Sequence, residues 1–341
     1  MLLAPMNGRF KNDKSPENSV LSFLISITYK TQGRWFVASC LWCPALVVVC
    51  SSILSVEGSI QTREPRVSPS PAVETDPPAS HLFRRVLENQ KHNDQEMDQF
   101  EHIERTEFRK VGNSSAPAEV KVNRVFPVGT GMDKLPLSPD AKPVNAESYI
   151  AELEKLEKAL IWAAQRGPAQ QEAYAKLERK RKERHDLLDA THEAFIFTRV
   201  GEEFRGDHKL VKFTLMPNPS YKPITRNTMI FPKVRGTVWI DEASSELARI
   251  EGYVTEDISI ALFVAKVYKG SHFMQERYEF EPGLWLPSFQ QYDFDGRKFF
   301  LSIAIHERAF FTNYKRVGPP SEALAAVRTE LSKWKASPAD P

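Results

Sequence analysis

The sequence predicts an α+β protein built on one large antiparallel sheet that is covered by helices. Between Phe195 and Val317, apolar and polar residues alternate with a period of two, as in strands with one buried face. Very short links join these segments, so consecutive strands must pair as antiparallel hairpins in a meander. The predicted strands are Phe195–Val200, Lys209–Leu215, Gly236–Ile240, Leu247–Val254, Ile258–Tyr268, Phe273–Phe280, Leu284–Phe294 and Lys298–Asn313.

A helical hairpin insertion is predicted at 146–194. Apolar residues such as Leu153, Leu156 and Leu160 recur at helical spacing, and Gly167-Pro168 breaks the run. The second helix contains a stretch dense in cations, Glu178 to His185. This stretch is read either as a solvated helix face or as a contact for lipid headgroups or a partner.

The remaining elements are predicted from shorter patterns. A helix begins near His81 and a strand follows at Phe100–Val111; a second strand, Val120–Phe126, lies inside a loop-rich stretch from 112 to 147. A short amphipathic helix is expected in the tail after Pro319-Pro320, with its apolar side formed by Leu324, Val327, Leu331 and Trp334.

One face of the predicted sheet is strongly apolar. On the last strand the residues that share this face are Phe299, Leu301, Ile303, Ile305, Ala309 and Phe311, and on Phe273–Phe280 they are Met274, Tyr278 and Phe280. Such a face must be covered. Helices that cover it completely give a filled core, and helices that leave a gap give a ligand cavity; periodicity alone does not separate the two.

The N-terminal region predicts export. Trp35 to Val56 contains no charged residue, follows Lys30 and Arg34, and precedes small residues near Gly58. This pattern fits a signal peptide cleaved near Gly58, and its length also suits a retained membrane anchor. Cleavage would remove all three cysteines, at positions 40, 43 and 50. The expected organisation is therefore 1–58 signal or anchor, 59–80 proline-rich linker, 81–317 sheet domain with the 146–194 hairpin, and 318–341 tail.

The sequence offers no constellation for a reaction. Lys and Arg number 46 and Asp and Glu 44, so nothing in the charge favours nucleic acid. Nucleophile-elbow, phosphate-loop, dinucleotide and zinc-protease motifs are missing from the sequence, and its eight histidines are scattered. Asp293-Phe-Asp295-Gly296 has the start of a calcium loop without its distal Glu, so a hairpin turn is the better interpretation. No cofactor and no metal are expected.

Seven short motifs stand out in order along the chain: Leu87 to Lys91, Ala194 to Glu203, Met216 to Pro223, Gly236 to Asp241, Leu247 to Glu251, Lys269 to Ser271 and Gly283 to Pro287. They resemble a known group of uncharacterised exported bacterial proteins, common in acidobacteria, that is similar to the LolA-like superfamily of outer-membrane lipoprotein carriers. The resemblance implies a curved, half-barrel antiparallel sheet closed by helices over an apolar cavity, and it implies no catalytic residues.

The function expected from the sequence is that of a non-enzymatic periplasmic or envelope module, a binding protein or a carrier, for a lipid or lipoprotein acyl group. The alternative is an envelope module that uses the same fold to bind or sense other proteins. The N-terminal segment is expected to engage the membrane. The candidate ligand-binding residues are Met274, Tyr278, Phe280, Trp285, Phe299, Leu301, Ile303 and Ile305.

Overall fold

The computed structural model describes residues 77–109, 118–165, 167–225, 227–260, 265–298 and 301–336. The predicted signal or anchor, most of the linker, the three cysteines and Phe299 lie outside these ranges. The helices are α1 (Pro77–Glu96), α2 (Ala146–Ala164), α3 (Pro168–Ala194) and α4 (Pro320–Ala336), with short 3-10 helices at Met97–Gln99 and Thr228–Lys233. Among the described residues, no helix combines the length and the hydropathy needed to cross a bilayer.

Twelve antiparallel strands form one open sheet, which confirms the predicted fold class. Its order is β3-β2-β1-β12-β11-β10-β7-β6-β5-β4, and a small β8–β9 hairpin joins it through β11. The strands are β1 (Phe100–Arg109), β2 (Glu119–Pro127), β3 (Met132–Leu137), β4 (Phe195–Arg205), β5 (His208–Pro217), β6 (Val234–Asp241), β7 (Glu246–Val254), β8 (Ile258–Ile260), β9 (Ala265–Val267), β10 (His272–Glu281), β11 (Leu284–Lys298) and β12 (Leu301–Arg316).

The helices predicted between 146 and 194 begin where local chemistry favours them. The side chain of Asn145 accepts a hydrogen bond from the Ser148 amide at 2.7 Å and so caps α2. Pro168 stands in the first turn of α3, where its missing N–H costs nothing. The two helices then separate: α2 packs mainly on α4, and α3 packs on α1. Both are therefore integral to the fold.

Two helix-covered hydrophobic cores lie toward opposite edges of the sheet. The first core packs α1 and α3 on β4 to β7, with Phe83 of α1 against Phe197 and Phe213. The second core packs α2 and α4 on β2 and β3, with Leu153, Leu156 and Leu160 fully buried, among others. The β3 strand in this core was missed from sequence because its six residues include Pro136 and alternate only weakly.

Part of the cation-dense stretch of α3 forms ion pairs with neighbouring elements of the protein. Arg184 Nη2 lies 2.9 Å from Asp94 of α1, His185 Nε2 lies 3.2 Å from the same carboxylate, and Arg181 pairs with Asp98. Lys182 instead pairs with Asp186 along the outer surface of α3. One side of this stretch thus holds α3 on α1, and the other is a solvated helix face.

Two details of the predicted sheet were wrong. The segment Ile258–Tyr268 is not one strand: β8 and β9 pair with each other as a hairpin. The Asp295-Gly296 turn is also absent, because both residues lie inside β11, opposite Ala304 and Ile303. Gly296 serves close strand packing instead, since a Cβ there would stand 2.2 Å from the carbonyl oxygen of Lys266.

Candidate functional site

The apolar face beneath α1 and α3 continues beyond these helices toward β12. Ile250 packs against the first core, and Gly252, two residues on, shares its face and pairs with Phe273 of β10. Phe273 in turn pairs with Tyr292 of β11. The same face of β11 and its neighbours then presents Phe294 opposite Ile305, and Gly296 opposite both Ile303 and Val267.

Five residues of this extension are only half-buried, and we call them the apolar floor: Ala265, Val267, Phe273, Ile303 and Ile305. The floor depends on a glycine, because the Phe273 ring lies directly over Gly252, where a Cβ would come within 2.0 Å of it. An aromatic ring over a glycine on a neighbouring strand is a recognised way of stabilising a sheet.

Burial decreases steadily along the floor toward the β11–β12 connection. Phe294 is 6% exposed, Ile305 and Ile303 are half-buried, and Leu301 is 73% exposed. The expectation that this face of the last strand is buried therefore holds at Ala309 and Phe311 and was wrong at Leu301. The apolar surface is thus continuous from a closed core to an open end.

The structure divides the eight residues predicted to bind ligand. Ile303 and Ile305 lie in the floor, and Leu301 lies at its open end. Met274 alternates with Phe273 and so points to the other face of the sheet. The remaining described residues lie toward the opposite end of β10 and β11: Phe280 and Tyr278 pack near Tyr314, and Trp285 joins Trp239 in a small buried cluster.

Sequence reasoning did not find Ala265, Val267 and Phe273 as partners of Ile303 and Ile305. The segment of β8 and β9 had been read as one strand, and Phe273 as an ordinary strand residue. The one available signal was glycine within strands, at Gly252 and Gly296, which marks a place where another group approaches the backbone closely.

A buried polar cluster lies where α1 packs on the start of β7. Glu246 is 2% exposed and accepts hydrogen bonds from Asn93 (2.9 Å) and Gln90 (3.3 Å) of α1. Burial raises the pKa of Glu246 to about 7, although the hydrogen bond from Asn93 opposes that rise. Asn93 Oδ1 and Arg277 Nε are buried near it without a hydrogen-bond partner. The cluster attaches α1 to the β6–β7 hairpin.

Two of the scattered histidines meet on the sheet. His306 Nδ1 lies 3.0 Å from Asp293 Oδ1, and His272, paired across the strands with the same Asp293, is stacked against Tyr253. Burial alone would raise the pKa of Asp293, but hydrogen bonds from Gln291 and His306 lower it. No nucleophile stands in this group, and in the described part of the chain no three His, Cys, Asp or Glu are placed to hold a metal ion.

A cleft of about 300 Å³ opens between α1 and the β6–β7 turn. Its lining residues include Arg84, Arg85 and Asn89 from α1 and Ser244 and Ser245 from the turn, and much of the surface they present is the apolar part of these side chains. Asn89 already donates to the carbonyl oxygens of both serines. The charged and polar groups at this cleft distinguish it from the floor, whose five side chains are all apolar.

No protein-family model matches the chain, and no curated protein matches it. Among solved structures, it is similar to a putative outer membrane lipoprotein-sorting protein domain from Vibrio parahaemolyticus (9% identity, covering 72% of this chain and 99% of that one, TM-score 0.28). It is also similar to a LolA superfamily protein from Nitrosomonas europaea (10% identity, 71% and 96%, TM-score 0.29) and a DUF1329 family protein from Desulfovibrio piger (9%, 69% and 93%, TM-score 0.26). The first two descriptions name the group that the sequence motifs resemble. Because these TM-scores are below 0.5, the fold is assigned from the strand pairing of this chain and not from these likenesses.

Proposed function

We propose that the protein is a non-enzymatic binding module of the bacterial envelope that takes up an acyl chain of a lipid or lipoprotein on the apolar floor. The observation that carries the proposal is the half-buried state of Ala265, Val267, Phe273, Ile303 and Ile305 next to a closed core. Apolar side chains that stay half-exposed as a contiguous group indicate a binding surface more often than scattered ones do.

The energetics of the floor favour an acyl ligand. Each buried CH₂ group contributes about 0.8 kcal/mol, so an acyl chain gains by covering half-exposed aliphatic and aromatic side chains. The described side chains of the floor carry no charge and no hydrogen-bonding group, which favours an apolar ligand over a polar one. The sequence motifs that resemble lipoprotein carriers support the same ligand class.

An envelope location is part of the proposal. The uncharged stretch Trp35 to Val56, preceded by Lys30 and Arg34, supports export through a cleaved signal or a retained anchor. The sheet domain would then stand in the periplasm, where acyl chains of lipoproteins and phospholipids must be shielded from water.

The test is native mass spectrometry of the full chain purified from its own membranes. We expect mass adducts that match phospholipid or lipoprotein acyl groups and that a matched Ile303→Trp variant loses. A wild-type spectrum without lipid adducts, recorded under conditions that preserve a known lipid complex, would contradict the proposal.

An alternative function as a protein-interaction module is favoured by one feature of the sheet. No strand of the described residues pairs with the outer side of β4, which exposes Val200 (50%) and Phe204 (73%). Exposed edge strands bind extended peptides by adding a strand. Stoichiometric co-purification of one protein in place of lipid, abolished by Val200→Pro, would favour this alternative.

A further inference from the structure

Large exposed apolar side chains lie at the end of the sheet's strands where α1 begins. We call four of them the entry-end rim: Met216, Ile224, Met229 and Leu301, which are 38%, 89%, 62% and 73% exposed. An exposed apolar group of this kind marks a binding surface more often than a single exposed residue does.

The connection between β5 and β6 carries two members of the rim. Ile224 and Met229 are held near each other because Thr228 Oγ1 donates to the Thr225 carbonyl oxygen at 3.0 Å and accepts from the Thr225 amide at 3.1 Å. On the inner side of this connection, Ile230 and other residues are buried in the first core. The two exposed side chains therefore project from a fixed base.

Hydrogen bonds fix this connection next to the beginning of α1. Asn218 binds the carbonyl oxygens of Glu193 and Ala194 at the end of α3, both at 2.9 Å. His192, the residue before Glu193, has its Nε2 3.2 Å from Ser80 Oγ in the first turns of α1. α1 thus begins at the entry end.

Leu301 lies at the same end of the strands, but on β12, which β6, β7, β10 and β11 separate from the strand that precedes the β5–β6 connection. Arg235, near the start of β6, pairs with Tyr253, and Tyr253 pairs with His272. His272 pairs with Asp293, and β11 continues past this row to Lys298, which pairs with Leu301. Leu301 therefore projects beyond the row of strand ends and continues the apolar floor outward.

Charge next to the exposed side chains differs between the two ends. The β5–β6 connection, residues 218–233, contains Lys222 and Lys233 and no Asp or Glu, whereas acidic side chains at this end follow β7, where Asp257 pairs with Lys266 at 2.7 Å. At the opposite end Phe204 is also 73% exposed, but ion pairs surround it, between Lys209 and Glu202 at 3.0 Å and between Lys209 and Glu242 at 3.1 Å. Burying such pairs against lipid costs desolvation, whereas an apolar tip with cations suits an anionic lipid surface.

We propose that the entry-end rim docks on the surface of a lipid bilayer that contains anionic phospholipid, with Ile224 and Met229 inserted at the headgroup boundary. The chain outside the structure supports this occupant, because the uncharged stretch Trp35 to Val56 leads through residues 57–76 into the same end. The docked orientation turns the open end of the floor toward the lipid. The inference stands on the rim and does not require that the floor bind an acyl chain.

The test uses the full chain with Cys40, Cys43 and Cys50 replaced by Ser. A single cysteine is then introduced as Met229→Cys or, as the matched control, Phe204→Cys, and each is labelled with bimane. The labelled proteins are added to phosphatidylcholine vesicles containing a minor fraction of phosphatidylglycerol and a shallow nitroxide-labelled lipid. We expect several-fold stronger quenching at position 229 than at position 204, and weaker quenching at 229 without phosphatidylglycerol. Equal quenching at the two positions, or stronger quenching at 204, would overturn the proposal.

A second variant separates this inference from the acyl-binding proposal. Ile224→Ser with Met229→Ser removes two exposed apolar side chains, so the thermal midpoint should stay at the wild-type value. A bimane label at Leu301→Cys in this variant should lose most of its quenching, while the same double variant with Leu301 intact should bind a fluorescent fatty acid in solution as the wild type does. Unchanged quenching of that label would show that the rim does not dock.

Discussion

The two helix-covered cores differ in how completely they are closed. In the second core, Leu153, Leu156 and Leu160 of α2 are at most 1% exposed, and α4 lies alongside α2 across β2 and β3. In the first core, Phe83 and Val86 of α1 are equally well buried, but the apolar face on which they pack continues into the half-buried floor. The sheet is apolar in both places, so helix coverage, and not composition, determines which part stays available.

In each core, a cluster of hydrogen-bonded polar side chains joins helix to sheet, and we call these two clusters the polar locks. They differ in kind. In the second core, Arg124 of β2 donates to Glu101 of β1 at 2.6 Å, to Tyr149 of α2 at 2.9 Å and to Glu330 of α4 at 2.9 Å. In the first core, the lock is Glu246 with Gln90 and Asn93 of α1, which involves a single carboxylate. The charged network closes its core from three elements, whereas the single carboxylate fixes only one end of α1.

Removing the charged lock is expected to give the largest effect. Arg124→Met leaves Glu101, which is 7% exposed, buried without its main partner and should cost about 3–5 kcal/mol of unfolding free energy. The matched control is Arg328→Met, whose partner Glu157 is at the surface and whose loss should cost less than about 1 kcal/mol. Urea unfolding of both variants measures the difference. Equal losses would mean that the Arg124 network does not close the second core.

The lock of the first core should respond to pH. The folded-state pKa of Glu246, about 7, lies above the ordinary value of 4.5, so the folded protein holds a proton that the unfolded chain releases. Stability should therefore fall as pH rises from about 4.5 to about 7, by about 3 kcal/mol, and change little from this group above that range.

Glu246→Gln should abolish that part of the pH dependence, because the amide keeps the shape of the side chain without ionising. Unfolding free energies between pH 4.5 and 8 give the slope, and Glu203→Gln at an exposed position of β4 is the control that should leave it unchanged. A slope that persists in Glu246→Gln would assign the pH dependence to other groups.

Between β4 and β12 the sequence predicted most strands, because their periodicity and short connections are local features; the exceptions are the β8–β9 pair and the end of β11. It also predicted α2 and α3, whose ends are marked by Gly167-Pro168. It did not reveal that α2 and α3 separate to serve different cores, since that depends on α1 and α4, which lie far away in the chain. The pairing of β1 with β12 is equally non-local.

The candidate site was only partly accessible from sequence. Ile303 and Ile305 were found because they alternate within one strand. Met274 was grouped with them because both strands had apolar alternation, and only the register shows that Phe273 is the residue on their face. A shift of one residue moves every side chain to the other face, so the partners of a strand cannot be read from its own pattern.

The smallest effect on stability, and the sharpest test of the comparison, is expected from one substitution made in both cores. Ile303→Trp adds volume on the half-buried floor, where the ring has room toward the open end, so the thermal midpoint should change little. Leu156→Trp adds the same kind of bulk to the closed core, where overpacking should cost about 1–3 kcal/mol or more. If the floor holds an acyl chain, Ile303→Trp should also prevent binding of a fluorescent fatty acid, while Leu156→Trp, where folded, should still bind it.

A lowered midpoint in Ile303→Trp, without probe binding even in the wild type, would show that the floor is a packed surface and would favour the protein-interaction alternative. An unchanged midpoint with lost binding would place the ligand on β12, between Ile303 and the side chains of Val267 and Phe273.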